Sequence, residues 1–134
     1  MATTDVNILA VIVAGVVGMF SGGLWYSEKM FDRTWGRENG PRPETTKDKH
    51  PASVFAISIA LSIIAAYVLA LWIGPHPSFA SAMTKSLLAG ACFVATSFGI
   101  NYQFAGRSNK LLAIDAGYHI VQFAIFGVVL GLWP

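Results

Sequence analysis

Between Gly99 and Gln122, six polar side chains sit within otherwise apolar sequence: Asn101, Gln103, Asp115, Tyr118, His119 and Gln122. On a helix, Asp115, Tyr118, His119 and Gln122 fall at i, i+3, i+4 and i+7, which is one face. A carboxylate, a phenol, an imidazole and an amide in one row can hold a proton, bind a small solute or ion, or clamp helices together. A charged Asp at the centre of a membrane helix costs about 2.5–3.5 kcal/mol, and less nearer its end. Asp115 therefore needs a partner. His119 stands one turn along, and Arg107 or Lys110 can fold back from the basic turn that divides the stretch. A hydrogen-bond clamp with Arg107 neutralising Asp115 is the plain reading. A site for a solute, ion or proton is the sharper one, because intramembrane ionisable groups are expensive to keep without use.

Ser97, His119 and Asp115 also allow a triad reading, but no oxyanion hole is recognisable. Haem and metal have little to hold them. His119 is the one histidine inside a span, His50 and His76 flank spans, and no HxxH or CxxC spacing occurs. No catalytic residue and no cofactor are assigned. The candidate binding residues are Asn101, Tyr102, Arg107, Asp115, Tyr118, His119 and Gln122.

The elements that must position these residues are membrane helices. The 134 residues are 54% hydrophobic and only 12% charged, where a soluble domain carries roughly 25% charged residues. The single Cys92 lies in an apolar run, so there is no disulfide framework. The net charge of +2 is too small to point to nucleic acid. Uncharged or nearly uncharged runs predict spans at about 7–26, 52–73, 82–105 and 111–133, each near the ~20 residues that cross a bilayer. Asp5 precedes the first run without any Lys or Arg, which argues against a cleaved signal peptide. The expected fold is all-α, a single polytopic domain of four transmembrane helices in a compact bundle.

Loop 27–51 holds most of the charge. Met30, Phe31 and Trp35 could share one side of a short helix lying in the headgroup region. Asn39, Gly40, Pro41 and Pro43 end it, and a solvated stretch follows to His50. Ser108 or Asn109 can cap the last span. Loops 27–51 and 106–110 carry Lys29, Arg33, Arg37, Arg42, Lys47, Lys49, Arg107 and Lys110, against Lys85 alone on the other side. The positive-inside rule then puts both loops in the cytoplasm and both termini outside, in an inner (plasma) membrane. If helices 3 and 4 are antiparallel about Ser108, Asn101 faces Asp115 and Ser97 faces His119.

Two internal patterns bear on assembly. Gly23-Leu24-Trp25-Tyr26 matches Gly99-Ile100-Asn101-Tyr102, and Val68-Leu69-Ala70-Leu71-Trp72 matches Val129-Leu130-Gly131-Leu132-Trp133. Two repeated hairpins would produce these matches, as would chance in Leu/Val/Ala-rich sequence. Small residues also recur four apart in every span, including Ala10, Ala14, Gly18 and Gly22 in the first and Ala91, Ala95 and Gly99 in the third. They permit close helix approach and support a compact bundle in a homo-oligomer.

The chain resembles domain-of-unknown-function family 1761. The resemblance rests on Leu24-Trp25-Tyr26-Ser27, Ala66-Tyr67-Val68-Leu69-Ala70, Asn101-Tyr102, Gly106-Arg107, Lys110, Asp115-Ala116-Gly117-Tyr118-His119 and Gly131-Leu132-Trp133. It implies a four-helix membrane protein and no particular activity. Departures are Glu28, where relatives often have Pro, and Asp115, where they often have Asn. The functional expectation is a polar pocket between helices 3 and 4, facing the cytoplasm, that binds or passes a small solute or proton. The alternative is a non-catalytic scaffold or accessory subunit whose polar row only locks helices.

Overall fold

The computed structural model describes residues 6–41 and 51–134. The expected solvated stretch with Arg42, Lys47 and Lys49, and Asp5 before the first span, lie outside the described residues. Among the described residues, four helices are long and apolar enough to cross a membrane. They are α1 (Ile8–Trp25), α3 (Pro51–Ile73), α4 (Phe79–Phe104) and α5 (Asn109–Leu132). Between α1 and α3 lies the short α2 (Asp32–Asn39). No strand occurs among the described residues.

Local chemistry sets the helix ends. Asn7 caps α1 by accepting from Ala10 N, and its amide also reaches Trp133 O at the end of α5. Gly74, at φ 91°, stops α3 in a conformation that suits glycine. Ser78 Oγ accepts from Ser81 N, so α4 starts three residues before the predicted 82. The exit from α4 has the two bonds of a Schellman motif: Arg107 N donates to Tyr102 O and Gly106 N to Gln103 O, with Gly106 at φ 69°. Ser108 then caps α5 through Leu111 N. Lys85 reaches the end of α3. Its Nζ lies 3.3 Å from both Trp72 O and Ile73 O, among the unpaired carbonyls at the end of α3.

Within α4, residues Ala89–Val94 form a π-helical turn. Such a turn loosens the α-helical ladder, and the side chains Thr96 and Ser97 return hydrogen bonds to Cys92 O and Phe93 O. Gly90 brings this turn against Phe123 of α5.

The spatial order is α3, α1, α5, α4. α5 is the central helix and α1 its second partner, with Val11, Leu111 and Phe126 wholly buried. α3 rests on α1 and meets α4 chiefly over the first helical stretch after the 74–78 turn. A twofold pair of hairpins would make the α1–α5 and α3–α4 faces equivalent. Here the first is closely packed and the second is parted by grooves.

The close approaches are made by glycines within one chain. A Cβ at Gly15 would stand 2.7 Å from Ile63 Cα, and one at Gly127 would stand 2.8 Å from Ser86 Oγ. On α4 the packed small residues are Ala82, Ser86 and Gly90. The expected row Ala91, Ala95 and Gly99 is not that face, and Gly99 has only Leu112 Cδ2 near, at 4.0 Å. Ser86 Oγ is buried without a hydrogen-bond partner. Leaving such a group unsatisfied costs about 1–3 kcal/mol. Ser86→Ala is therefore expected to stabilise the protein by about 1 kcal/mol in detergent denaturation. A loss of stability would mean that the hydroxyl has a partner.

Candidate binding site around Asp115

Asp115 lies on α5, two turns from the Ser108 cap, and is partly buried. Its carboxylate collects three donors from three elements. Oδ1 accepts from Tyr26 Oη at the end of α1 (2.7 Å) and from Trp35 Nε1 of α2 (3.0 Å). Oδ2 accepts from Tyr102 Oη of α4. Hydrogen bonds to an ionised acceptor are the stronger kind. Among the described residues no lysine or arginine pairs with this carboxylate.

Neither His119 nor Arg107 is the expected partner of Asp115. Arg107 Nη2 instead donates to Asn39 Oδ1 and reaches Asn39 O, binding the end of α2 to the α4–α5 turn. His119 Nδ1 lies 2.7 Å from Gln122 Oε1, which points its polar contacts deeper into the bundle. Gln122 Nε2 donates to Ser62 Oγ (3.0 Å), and Ser62 Oγ donates to Gly15 O (2.7 Å). Tyr118 Oη donates to Gly18 O (2.9 Å) and approaches Met19 O (3.1 Å). The expected single row thus divides into an Asp115 cluster near the basic turn and a His119–Gln122–Ser62 relay nearer mid-depth.

Asn101 belongs to neither group. It is exposed, and Tyr102 takes the place predicted for it at Asp115. Ser97 likewise faces away, while the Phe98 ring stacks on His119 with centroids 4.9 Å apart. Both partners on α4 are one residue later than expected. One residue rotates a side chain by about 100°, so a small error in turn geometry replaces the whole facing row.

Three residues around Asp115 were not expected as site residues: Tyr26, Trp35 and Asp32. Tyr26 reads as an interface aromatic closing the first span, and Trp35 as part of an apolar face lying in the headgroups. In the structure α2 is turned so that Trp35 reaches into the bundle, while Phe31 lies against Trp25 with centroids 4.7 Å apart. The available signal was chemical. A phenol or indole that leaves water needs an acceptor, and Asp115 is the one carboxylate within a span.

Within Asp115-Ala116-Gly117-Tyr118-His119, Gly117 makes room for Trp25. Trp25 Nε1 donates to Ile114 O (2.9 Å), and its ring lies where a Cβ on Gly117 would come within 3.1 Å. A side chain at Gly117 would push the Trp25 ring away from that carbonyl.

Beside the cluster opens a pocket of about 420 Å³ lined by Tyr26, Asp32, Trp35 and Asp115. Two carboxylates and two electron-rich rings meet there. Among the described residues no three His, Cys, Asp or Glu side chains gather to hold a metal. Comparison with known proteins gives one result. A family model described as "Protein of unknown function (DUF1761)" matches residues 9–131. No curated protein and no solved structure matches the chain.

Proposed function

We propose, for a chain that belongs to the DUF1761 family of proteins of unknown function, that it binds a small solute at the Asp115 pocket, from the cytoplasmic side of an inner (plasma) membrane. The orientation rests on the basic residues. Lys29, Arg33, Arg37, Arg107 and Lys110 gather at the pocket end, and Lys85 lies at the other. Both termini are then outside. Compared with the sequence expectation, the pocket is bounded by the end of α1 and by α2 as well as by α5.

The observation that carries the reading is a carboxylate served only by neutral donors, open to a pocket that holds a second carboxylate. Such a pocket favours a cation, and the rings of Tyr26 and Trp35 add cation–π attraction of about 0.5–2 kcal/mol. The solute class is a small organic cation. The test compares phenyltrimethylammonium with its neutral isostere tert-butylbenzene, following tryptophan fluorescence in purified protein. The cation is expected to bind at least about ten-fold more tightly, with Asp32→Asn and Asp115→Asn each weakening it. Equal binding of the two probes would sink the reading.

A second reading has a specific observation behind it. Asp115 ties α1, α2 and α4 to α5 through three donors, which is what a scaffold or accessory subunit needs from a polar lock. If neither probe binds and Asp115→Asn changes stability alone, that reading stands. For a homo-oligomer, the small-residue face left free is Ala91, Ala95 and Gly99 on α4.

A further inference from the structure

The relay behind His119 fixes which of its ring nitrogens is free. A serine hydroxyl has one proton, and Ser62 Oγ donates it to Gly15 O at 2.7 Å. Ser62 must therefore accept from the Gln122 amide nitrogen, and the Gln122 oxygen faces His119. Nδ1 of the imidazole is then the donor. In the neutral ring Nε2 is left as an acceptor. It makes no hydrogen bond with the described residues, and protein does not enclose it.

His119 lines a cavity of about 650 Å³ whose walls include Ser58, Leu61 and Val94. Through Ala65, Val94 and Phe123 this cavity adjoins an apolar one of about 530 Å³ between α3 and α4, which reaches Trp72. The two form one cleft on the side where α3 and α4 part. Each cavity has the volume of a small-molecule site, and the rim of the cleft carries Leu61 and Phe93, both more than half exposed. At 1.5 Å per residue, His119 lies about 16 Å along α5 from the Ser108 cap. That is near the middle of a hydrocarbon core of about 30 Å.

Hydrocarbon tails cannot satisfy an imidazole lone pair, and a phospholipid headgroup stays at the interface. A group that travels within the bilayer and carries a donor can meet Nε2 through the open side of the cleft. We propose that the cleft is a lateral binding site for a membrane-soluble hydroxyl compound, a quinol or a long-chain alcohol. Its O–H donates to His119 Nε2, and its apolar body lies between α3 and α4. The π-helical turn helps shape this site, since Ala89, Phe93 and Val94 all line the apolar cavity.

The test uses the full chain in lipid nanodiscs, with empty nanodiscs subtracted and oxygen excluded. The probes are a decyl-substituted 1,4-hydroquinone, its dimethyl ether, and farnesol. At least one hydroxyl probe is expected to bind, with the hydroquinone about ten-fold tighter than its ether if the ligand is a quinol. Binding by farnesol without the hydroquinone assigns the long-chain alcohol instead. His119→Phe keeps a ring against Phe98 and is expected to remove the preference for a hydroxyl. Leu61→Trp, at an exposed cleft position, is expected to block binding while leaving the fold intact. This variant keeps the proposal falsifiable should His119→Phe fail to fold. Equal binding of ether and hydroquinone without farnesol binding, or no binding by either hydroxyl probe, overturns the proposal. So does Leu61→Trp lowering the particle mass without changing probe binding, which would assign the cleft to a second copy of the chain.

Discussion

Gly18→Leu is expected to prevent formation of the native bundle, while Gly23→Leu on the same helix leaves it unchanged. A Cβ at Gly18 would stand 2.5 Å from Phe126 Cε1 and 3.2 Å from Gln122 Cγ, whereas nothing lies within 4 Å of one at Gly23. Phe126 is wholly buried, so its ring has no open side into which to turn. Overpacking a core commonly costs 1–3 kcal/mol. A leucine here must separate α1 from α5 along their contact, so a loss of about 3 kcal/mol or more is expected. Gln122 would be displaced with Phe126, and the relay to Ser62 would break. Thermal denaturation and size-exclusion profiles in detergent measure the difference between the two variants. Wild-type behaviour of Gly18→Leu would mean that α1 and α5 do not meet at this point.

Asp115→Ala should cost about 2–4 kcal/mol, and Asp115→Asn distinctly less. Alanine leaves Tyr26 Oη, Trp35 Nε1 and Tyr102 Oη without their acceptor. Each orphaned donor costs about 1–3 kcal/mol when buried, and less here because the cluster borders an open pocket and water can replace part of what is lost. Asparagine keeps one oxygen for Tyr26 and Trp35, and its NH₂ can donate to a rotated Tyr102 hydroxyl. The two variants therefore separate the lock from the charge. Alanine loosens α2, which should appear as faster proteolysis between residues 27 and 41. Asparagine keeps α2 docked and removes the negative charge that the proposed cation requires. If alanine matched the wild type in denaturant titration, the Asp115 cluster would not hold the elements together.

The four spans were legible because hydropathy belongs to each residue separately. Pro51–Ile73 and Asn109–Leu132 lie within two residues of the predicted limits. A cap at Ser108 and the shared face of Asp115, Tyr118 and His119 could also be read, since capping chemistry and helical spacing determine them. What failed was rotation. A simple antiparallel turn about Ser108 puts Asn101 at Asp115, whereas the Schellman exit through Gly106 brings Tyr102 there instead.

The sequence by itself determined which segments leave water, where they end, and that one carboxylate and one histidine enter with them. Those properties follow from transfer free energies and capping chemistry, which act over a few residues. Only the tertiary structure decided that α2 turns Trp35 inward, that Tyr26 and Tyr102 converge on Asp115, and that α3 and α4 stand apart. Spans that are apolar nearly all round carry no marked inner face for a sequence to display. Their mutual rotation is settled instead by close contacts such as Gly18 with Phe126 and Gly117 with Trp25, between residues about 100 positions apart.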